Sequence, residues 1–205
     1  MYIIGIIGSP RENGNTATIM DSISKGAKTQ GAEVEVIHLE SYHIEPCIGC
    51  ERCRKDKTCT RFFDGMHLLY DKLDRADGII LGSPAYNYNM TPWMKSFIDR
   101  LYPFFDFSEP RPGPYTSRLA NRGKGALIFG VCEQTDPKEL GYTAVSMRDA
   151  IQAVGYSIFD TLAFANHFLP NSVTKHPEDR KRAYDAGVGF VSFLLGAGAG
   201  QRGEC

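Results

Sequence analysis

The sequence has no long hydrophobic run and almost no net charge. No apolar stretch approaches the roughly 20 residues that a membrane-spanning helix needs. The 23 basic and 24 acidic side chains nearly cancel to a formal charge of −1, which leaves no overall basic surface for nucleic acid. The apolar run at residues 2–7 is too short for a secretory signal, and no basic segment precedes it. We therefore expect a cytoplasmic protein with neither a membrane nor a nucleic-acid partner.

The composition is otherwise that of a globular domain. Hydrophobic residues make up 42% of the 205 residues and charged residues 23%, which is enough apolar material for a substantial core. No internal repeat divides the chain. We expect one domain over residues 1–195, followed by a flexible glycine-rich tail over residues 196–205.

Four of the six cysteines fall within residues 47–59, which read C-I-G-C-E-R-C-R-K-D-K-T-C. In a reducing cytoplasm, clustered thiols are more often metal ligands than disulfides. Cys47, Cys50 and Cys53 stand at successive C-x-x-C steps, and the tether to Cys59 can span about 20 Å, so all four thiols can surround one cluster. The spacing indicates a [4Fe-4S] site in a loop over residues 46–60. A structural zinc site and free or redox-active thiols are the alternatives.

A second motif follows the apolar run at residues 2–7. The segment G-S-P-R-E-N-G-N-T occupies residues 8–16 and leads into a predicted helix over residues 17–28. A strand, a polar loop and a helix N-terminus together form an anion site, because unpaired amides and the helix dipole face the ligand. The spacing fits neither the dinucleotide fingerprint nor the nucleotide-triphosphate loop. The candidate phosphate donors are Ser9, Arg11, Asn15 and Thr16; a simple helix cap is the alternative.

The order of predicted elements indicates an α/β fold. Apolar strand-like runs occupy residues 2–7, 33–39, 78–82, 124–131 and 156–164, and helical patterns separate them, whereas residues 103–125 look irregular. Alternating strands and helices predict a doubly wound five-stranded parallel sheet, with ligands at the carboxyl ends of the strands. Helices are predicted over residues 64–75 and 137–154, and the last helix over residues 177–195.

Two further loops are predicted at that sheet edge. The first carries Pro84, Ala85, Tyr86, Asn87 and Tyr88, whose aromatic and amide groups can hold a flat polar ring. The second, over residues 130–136, contains Cys132. Together with the phosphate loop they fit FMN, and the cysteine loop after strand two would lie at the same edge. Packing of the aromatic loop on its own helix is the alternative, and a packing role is the simpler interpretation of Tyr86 and Cys132.

Four segments carry a resemblance to a known family. They are G-S-P-R-x-x-G-N-T, P-C-I-G-C-x-x-C-x5-C, A-D-G-I-I-L-G-S-P-A-Y and M-K-S-F-I-D-R, at residues 8–16, 46–59, 76–86 and 94–100. In these the chain resembles the flavodoxin-like NADPH-dependent FMN reductase superfamily, and within it the iron–sulfur flavoproteins.

The resemblance implies a flavodoxin-like strand order 2-1-3-4-5 and a homodimer or homotetramer with FMN near a subunit interface. It also implies a four-iron cluster that takes electrons from a ferredoxin-like carrier. By resemblance, Ser9, Arg11, Asn15 and Thr16 hold the phosphate, and residues 84–88 contact the ring system.

We therefore expect an FMN-dependent oxidoreductase that passes electrons from a carrier through the cluster to FMN and then to a small-molecule acceptor. No side chain is predicted as a catalytic acid or base, since the cofactors supply the chemistry. One alternative is a cluster-free NAD(P)H-dependent reductase of quinones, nitro or azo compounds. Another is a non-enzymatic flavin redox sensor whose cysteines hold zinc.

Basic residues crowd the cysteine loop at Arg52, Arg54, Lys55 and Lys57. They predict either a docking patch for an acidic electron carrier or a solvated loop that offsets thiolate charge.

Overall fold

The computed structural model describes residues 1–200 of the chain, with side-chain environments to residue 197. Five parallel strands form its central sheet in the order β2-β1-β3-β6-β7. Their bounds are β1 Tyr2–Ile7, β2 Glu33–His38, β3 Gly78–Pro84, β6 Gly125–Val131 and β7 Ser157–Phe164. The short strands β4 Phe105–Phe107 and β5 Tyr115–Ser117 form a separate antiparallel hairpin. The prediction of a flavodoxin-like sheet ordered 2-1-3-4-5 is confirmed, because the hairpin strands lie outside it.

Alternation along the strands divides the core between the two faces of the sheet. Ile4 and Ile6 of β1 point into one apolar cluster, and Ile3 and Ile7 point into the other. The first cluster is covered by α3 His67–Arg75, α4 Pro92–Asp99 and α5 Thr143–Ala153, and the second by α1 Asn15–Thr29 and α6 Pro177–Gly200. Strands β3 and β6 are buried on both faces of the sheet, which explains why their sequences are continuous apolar runs.

Helices α1 and α6 approach each other closely enough to require glycine. A Cβ atom on Gly26 would lie 2.0 Å from the carbonyl oxygen of Tyr184, and one on Gly187 would lie 2.0 Å from that of Ile23. Any side chain at these two positions would therefore force the helices apart.

Four predicted segments differ from the structure by three or more residues or in the kind of element, and other boundaries differ by one or two residues. The helix expected over residues 137–154 divides into a 3-10 turn, Pro137–Leu140, and α5, because Gly141 between them adopts a positive φ of 53°. The excursion at residues 103–125 contains the β4–β5 hairpin, and the helix expected from residue 64 begins at His67. The last helix continues to Gly200, so residues 196–200 of the expected tail are helical. Residues 201–205 of that tail lie outside the described residues.

No helix within the described part of the chain is long and apolar enough to cross a membrane.

Candidate functional site

The carboxyl ends of the sheet strands border a cavity of about 140 Å³, which we call the sheet-edge cavity. The three predicted loops meet there, and the loop after β7 joins them. The lining residues are Ser9, Arg11, Gly14, Asn15, Thr16, Pro84, Ala85, Tyr86, Val131, Glu133, His167 and Phe168. Seven of the ten predicted cofactor residues are therefore brought together, and Asn87, Tyr88 and Cys132 are not among them.

The phosphate loop is fixed by contacts with β3 and with the start of α4. The amide of Gly8 donates to the carbonyl of Gly82 at 2.8 Å, and the hydroxyl of Thr91 donates to the carbonyl of Gly8 at 2.6 Å. A Cβ on Gly8 would stand 2.9 Å from the Cβ of Met94, so only glycine permits this approach. Helix α1 then begins at Asn15 with no side-chain cap, which leaves its first-turn amides free for an anion.

The side chain of Asn15 has a different role from the one predicted. Its amide nitrogen donates to the carbonyls of His167, at 3.1 Å, and Leu169, at 2.9 Å. Its carbonyl oxygen accepts the amide of Val173 at 3.2 Å. Both amide hydrogens are therefore used within the chain, so the Asn15 side chain braces the loop after β7 and is not available as a phosphate donor.

The aromatic loop makes a tight turn that separates its two tyrosines. The backbones of Tyr86 and Asn89 exchange hydrogen bonds at 2.7 and 3.1 Å, and Asn87 and Tyr88 between them have positive φ angles of 48° and 63°. Two successive positive φ values are typical of a type I′ turn. Tyr86 lines the cavity, whereas Tyr88 faces Glu139, whose carboxylate raises the pKa of the phenol. The predicted ring contacts of Asn87 and Tyr88 are not supported, because the turn carries both residues past the cavity.

Cys132 positions the backbone of the loop that follows β7. Its thiol is buried, which raises the pKa of the thiol, and the sulfur donates weakly to the carbonyl of Gln134 at 3.6 Å. The carbonyl of Cys132 accepts the amide of His167 at 3.1 Å. Its sulfur is not among the cavity-lining atoms, so the structure supports the packing interpretation of this residue.

His167 is a candidate site residue that the sequence did not reveal. Its side chain is fully buried, and ring Nε2 lies 2.9 Å from Oδ2 of Asp179. The other ring nitrogen, Nδ1, is buried with no hydrogen-bond partner in the described chain. Buried polar atoms are nearly always satisfied. An unpartnered nitrogen in a residue that lines the sheet-edge cavity therefore fits a polar ligand such as the phosphate or ribityl chain of FMN.

A second cavity, of about 200 Å³, is lined by all four clustered cysteines; we call it the cysteine cavity. Cys59 is buried, Cys53 is half-buried, and Cys47 and Cys50 are exposed, and none of them forms a disulfide. Its other lining residues include Phe62, Tyr70, Arg100, Tyr102 and Pro103. The two cavities share no residue.

Local backbone geometry folds the cysteine loop around its cavity. Gly49 adopts a positive φ of 66°, and the short helix α2, Cys53–Asp56, ends at Lys57 in the left-handed conformation. This reversal returns the chain toward the other thiols. The carbonyl of Cys59 is then held by Nε2 of His67 at 2.8 Å.

The four thiols form a mutually repulsive set when ionised. Burial, followed by the neighbouring thiols of Cys59, Cys47 and Cys50, raises the pKa of Cys53 to about 11. Four thiolates that share one cavity need a cationic centre between them to offset their repulsion. Within the described chain, at least one pair in any three of these sulfurs is more than 4.8 Å apart. A tetrahedral zinc site, with zinc–sulfur bonds of about 2.3 Å, places its sulfurs roughly 3.8 Å apart. The four sulfurs are therefore not arranged as a preformed zinc tetrahedron.

The β4–β5 hairpin covers the basic part of the cysteine loop. Arg54 pairs with Glu109 at 2.5 Å, Arg111 of the hairpin pairs with Glu51 at 2.5 Å, and Lys57 pairs with Asp106. Arg52 and Lys55 have no ion-pair partner among residues 1–200. Of the four predicted docking cations, two are therefore neutralised by the hairpin and two remain.

A comparison with protein families places the chain. The model of the NADPH-dependent FMN reductase family matches residues 1–133. An iron–sulfur flavoprotein of Archaeoglobus fulgidus is 36% identical over 177 residues, which are 86% of this chain and 75% of that protein. The chain belongs to the iron–sulfur flavoproteins of this family. A second such protein of the same organism is 39% identical over 104 residues, or 51% of this chain, and the match spans only 47% of that relative's length.

Solved structures of other proteins share the fold. A flavone reductase superposes with a TM-score of 0.71 at 21% identity, covering 95% of this chain and 63% of that one. An archaeal flavodoxin superposes with a TM-score of 0.59 at 16% identity, covering 95% and 99%.

Proposed function

We propose that the protein is an FMN-dependent oxidoreductase that takes electrons from an external carrier through a [4Fe-4S] cluster to FMN, and delivers them to a small-molecule acceptor. When bound, the cluster supplies one-electron transfer and FMN collects two electrons. Cys47, Cys50, Cys53 and Cys59 would hold the cluster, and the residues of the sheet-edge cavity would hold FMN. The family name supports the flavin, and the names of the relatives support the pair of cofactors.

Support for the cluster comes from the cysteine cavity. All four thiols line it, and no three of their sulfurs lie within 4.8 Å of one another in the described chain, so they do not form a preformed zinc tetrahedron. Free thiols with no redox partner would not require four cysteines around one cavity.

In the sheet-edge cavity the chain's own groups are suited to an anionic ligand. The uncapped amides of α1, the Ser9 hydroxyl and the Arg11 guanidinium supply donors at the phosphate end. Tyr86, with Pro84 and Ala85, provides an apolar and aromatic wall for the ring. The Asn15 side chain contributes indirectly, because it fixes the loop that carries His167.

The proposal is tested by the composition of protein purified without oxygen. We expect FMN rather than FAD, a broad iron–sulfur absorbance, and close to four irons and four sulfides per chain. Zinc in place of iron, or no metal, would refute the cluster. FAD, or no flavin after reconstitution with FMN, would refute the FMN site.

NADPH is a second candidate for the electron donor, because the family description specifies it. Rapid mixing of the anaerobic protein with NADPH distinguishes the donors: fast bleaching of FMN in protein lacking the cluster would identify a cluster-free reductase. The ferredoxin-like carrier, the homodimer or homotetramer and the cytoplasmic location remain predictions.

A further inference from the structure

Arg100 is buried beside the cysteine cavity. It follows the last residue of α4, is 2% exposed and lines that cavity with Phe62 and Tyr70. Its guanidinium carbon lies 5.4 Å from the centre of the Phe62 ring. A full positive charge in this position requires compensation, because burial of an unpaired ion is costly.

Most of that compensation comes from Asp64, which is 3% exposed on its side chain. Nη1 and Nη2 of Arg100 donate to the two oxygens of Asp64 at 2.7 and 3.0 Å, and Nη1 also donates to the carbonyl of Glu45 at 2.8 Å. Asp64 further accepts the backbone amides of Glu45 and Met66, at 2.9 and 3.1 Å. These bonds hold the outer end of the guanidinium in one orientation.

The remaining nitrogen of this side chain has no partner. Nε of Arg100 is buried, and no hydrogen-bond acceptor within residues 1–200 reaches it. Orphaned buried donors are rare in folded proteins and point to a group that occupies the adjoining space. Arg100 itself lines the cavity of the four cysteines, and it lies close enough to Cys59 to interact with it electrostatically.

We infer that Arg100 is a positioning residue for the cluster's charge: its Nε–H donates a hydrogen bond to a sulfur of the cluster and raises the cluster's reduction potential. The inference rests on the proposed function. A bound cluster would become more negative by one charge on accepting an electron from the external carrier, with no proton or bond exchanged. A fixed N–H donor and a buried cation stabilise the added charge, and hydrogen bonds to sulfur are an established determinant of such potentials.

Arg100→Lys is the decisive variant, because lysine keeps a positive charge opposite Asp64 but has no Nε donor. We expect the cluster's midpoint potential, measured by EPR-monitored redox titration, to fall by about 59 mV, a tenfold change in a one-electron equilibrium. The FMN content should stay the same. A purely structural role for Arg100 would change stability and leave the potential unmoved.

Arg118→Lys is the matched control. Arg118 also contacts this region, since it donates to the carbonyls of Lys57 and Pro103 and stacks over Phe104, but it does not line the cysteine cavity. Its replacement should leave the potential unchanged. An unchanged potential in Arg100→Lys with full iron content would overturn the inference.

If Arg100→Lys loses its iron, a measurement on the wild-type protein still tests the inference. Protein labelled with ¹⁵N at arginine Nε should show hyperfine coupling to the reduced cluster in pulsed EPR, and Arg118→Lys should retain that coupling. Absence of coupling would overturn the inference even if the cluster is present. Wild-type protein that holds no iron would instead refute the proposed function.

Discussion

At the scale of single residues, the unpartnered ring nitrogen of His167 predicts a contact with the phosphate of FMN. Its Nε2 is committed to Asp179, and its unpartnered Nδ1 belongs to a residue that lines the sheet-edge cavity. We predict that His167→Ala weakens FMN binding by about tenfold to a hundredfold. A ring with hydrogens on both nitrogens donates Nε2–H to Asp179 and Nδ1–H to the phosphate, and a hydrogen bond to a charged group contributes about 1.5–3 kcal/mol. Riboflavin, which lacks the phosphate, should bind both forms equally. Fluorescence titration with the two flavins measures both affinities.

His176→Ala is the control for that prediction. Its ring packs against His167 with centroids 5.0 Å apart, but it does not line the cavity. Both flavins should bind this variant as they bind the wild type. Equal weakening of FMN and riboflavin by His167→Ala would place the contact on the ribityl chain or ring and contradict a phosphate contact.

Cys59 is the residue that closes the proposed ligand set, since it lies in the part of the loop that follows α2 and is buried. We predict that Cys59→Ala loses or destabilises the cluster while FMN content stays at the wild-type level, because the two cavities share no residue. Iron and flavin analysis of anaerobic protein tests both parts. Ferredoxin-linked turnover should collapse, while chemically reduced FMN still passes electrons to an acceptor.

Cys132→Ala provides the comparison for Cys59→Ala. This thiol is also buried but lies outside the cysteine cavity, so its loss should leave the iron content intact. If Cys59→Ala keeps its full iron content, Cys59 is not a ligand.

At the scale of elements, the contact between α1 and α6 depends on glycine. A methyl group on Gly26 would overlap the Tyr184 carbonyl, so Gly26→Ala should separate the helices and lower the free energy of unfolding by about 1–3 kcal/mol. Chemical denaturation of the FMN-loaded protein measures the change.

Gly196→Ala is the corresponding control in α6. A methyl group added at Gly196 would have no atom within 4 Å, and alanine favours a helix over glycine, so stability should be unchanged or higher by up to about 1 kcal/mol. Equal effects at the two positions would show that helix propensity, and not helix contact, governs Gly26.

For the whole molecule, the hairpin decides which basic residues can meet a partner. Arg54 and Lys57 are paired with Glu109 and Asp106, so of the four predicted docking residues only Arg52 and Lys55 have no ion-pair partner in the described chain. We predict that Arg52→Glu with Lys55→Glu slows reduction by a ferredoxin, and that the wild-type rate falls as salt rises, because screening weakens electrostatic steering. Stopped-flow rates at several ionic strengths provide the measurement.

A charge-matched variant separates docking from net charge. Lys28→Glu with Arg180→Glu makes the same change in charge on α1 and α6, which cover the opposite face of the sheet from α3 and α4. Its rate should stay near that of the wild type. If both double variants are equally slow, or the wild-type rate is indifferent to salt, the loop is not a docking patch.

The amino-acid sequence by itself determined the fold and the family. Apolar runs of strand length and helical periodicity are local patterns, and the chain's connectivity then leaves few sheet topologies, so the parallel sheet could be predicted. The cysteine spacing is local too, because all four thiols lie in one short loop. That loop can fold onto itself whatever the rest of the chain does.

Only the tertiary structure decided which side chains are free to bind. Asn15 is occupied by backbone groups more than 150 positions away, and His167 is brought to the cavity by the same contact. Lys57 finds its partner on a hairpin 49 residues later, and Arg100 finds Asp64 across 36. A polar side chain binds a ligand only where the fold leaves it unpaired, and that pairing is set by long-range packing that no local pattern records.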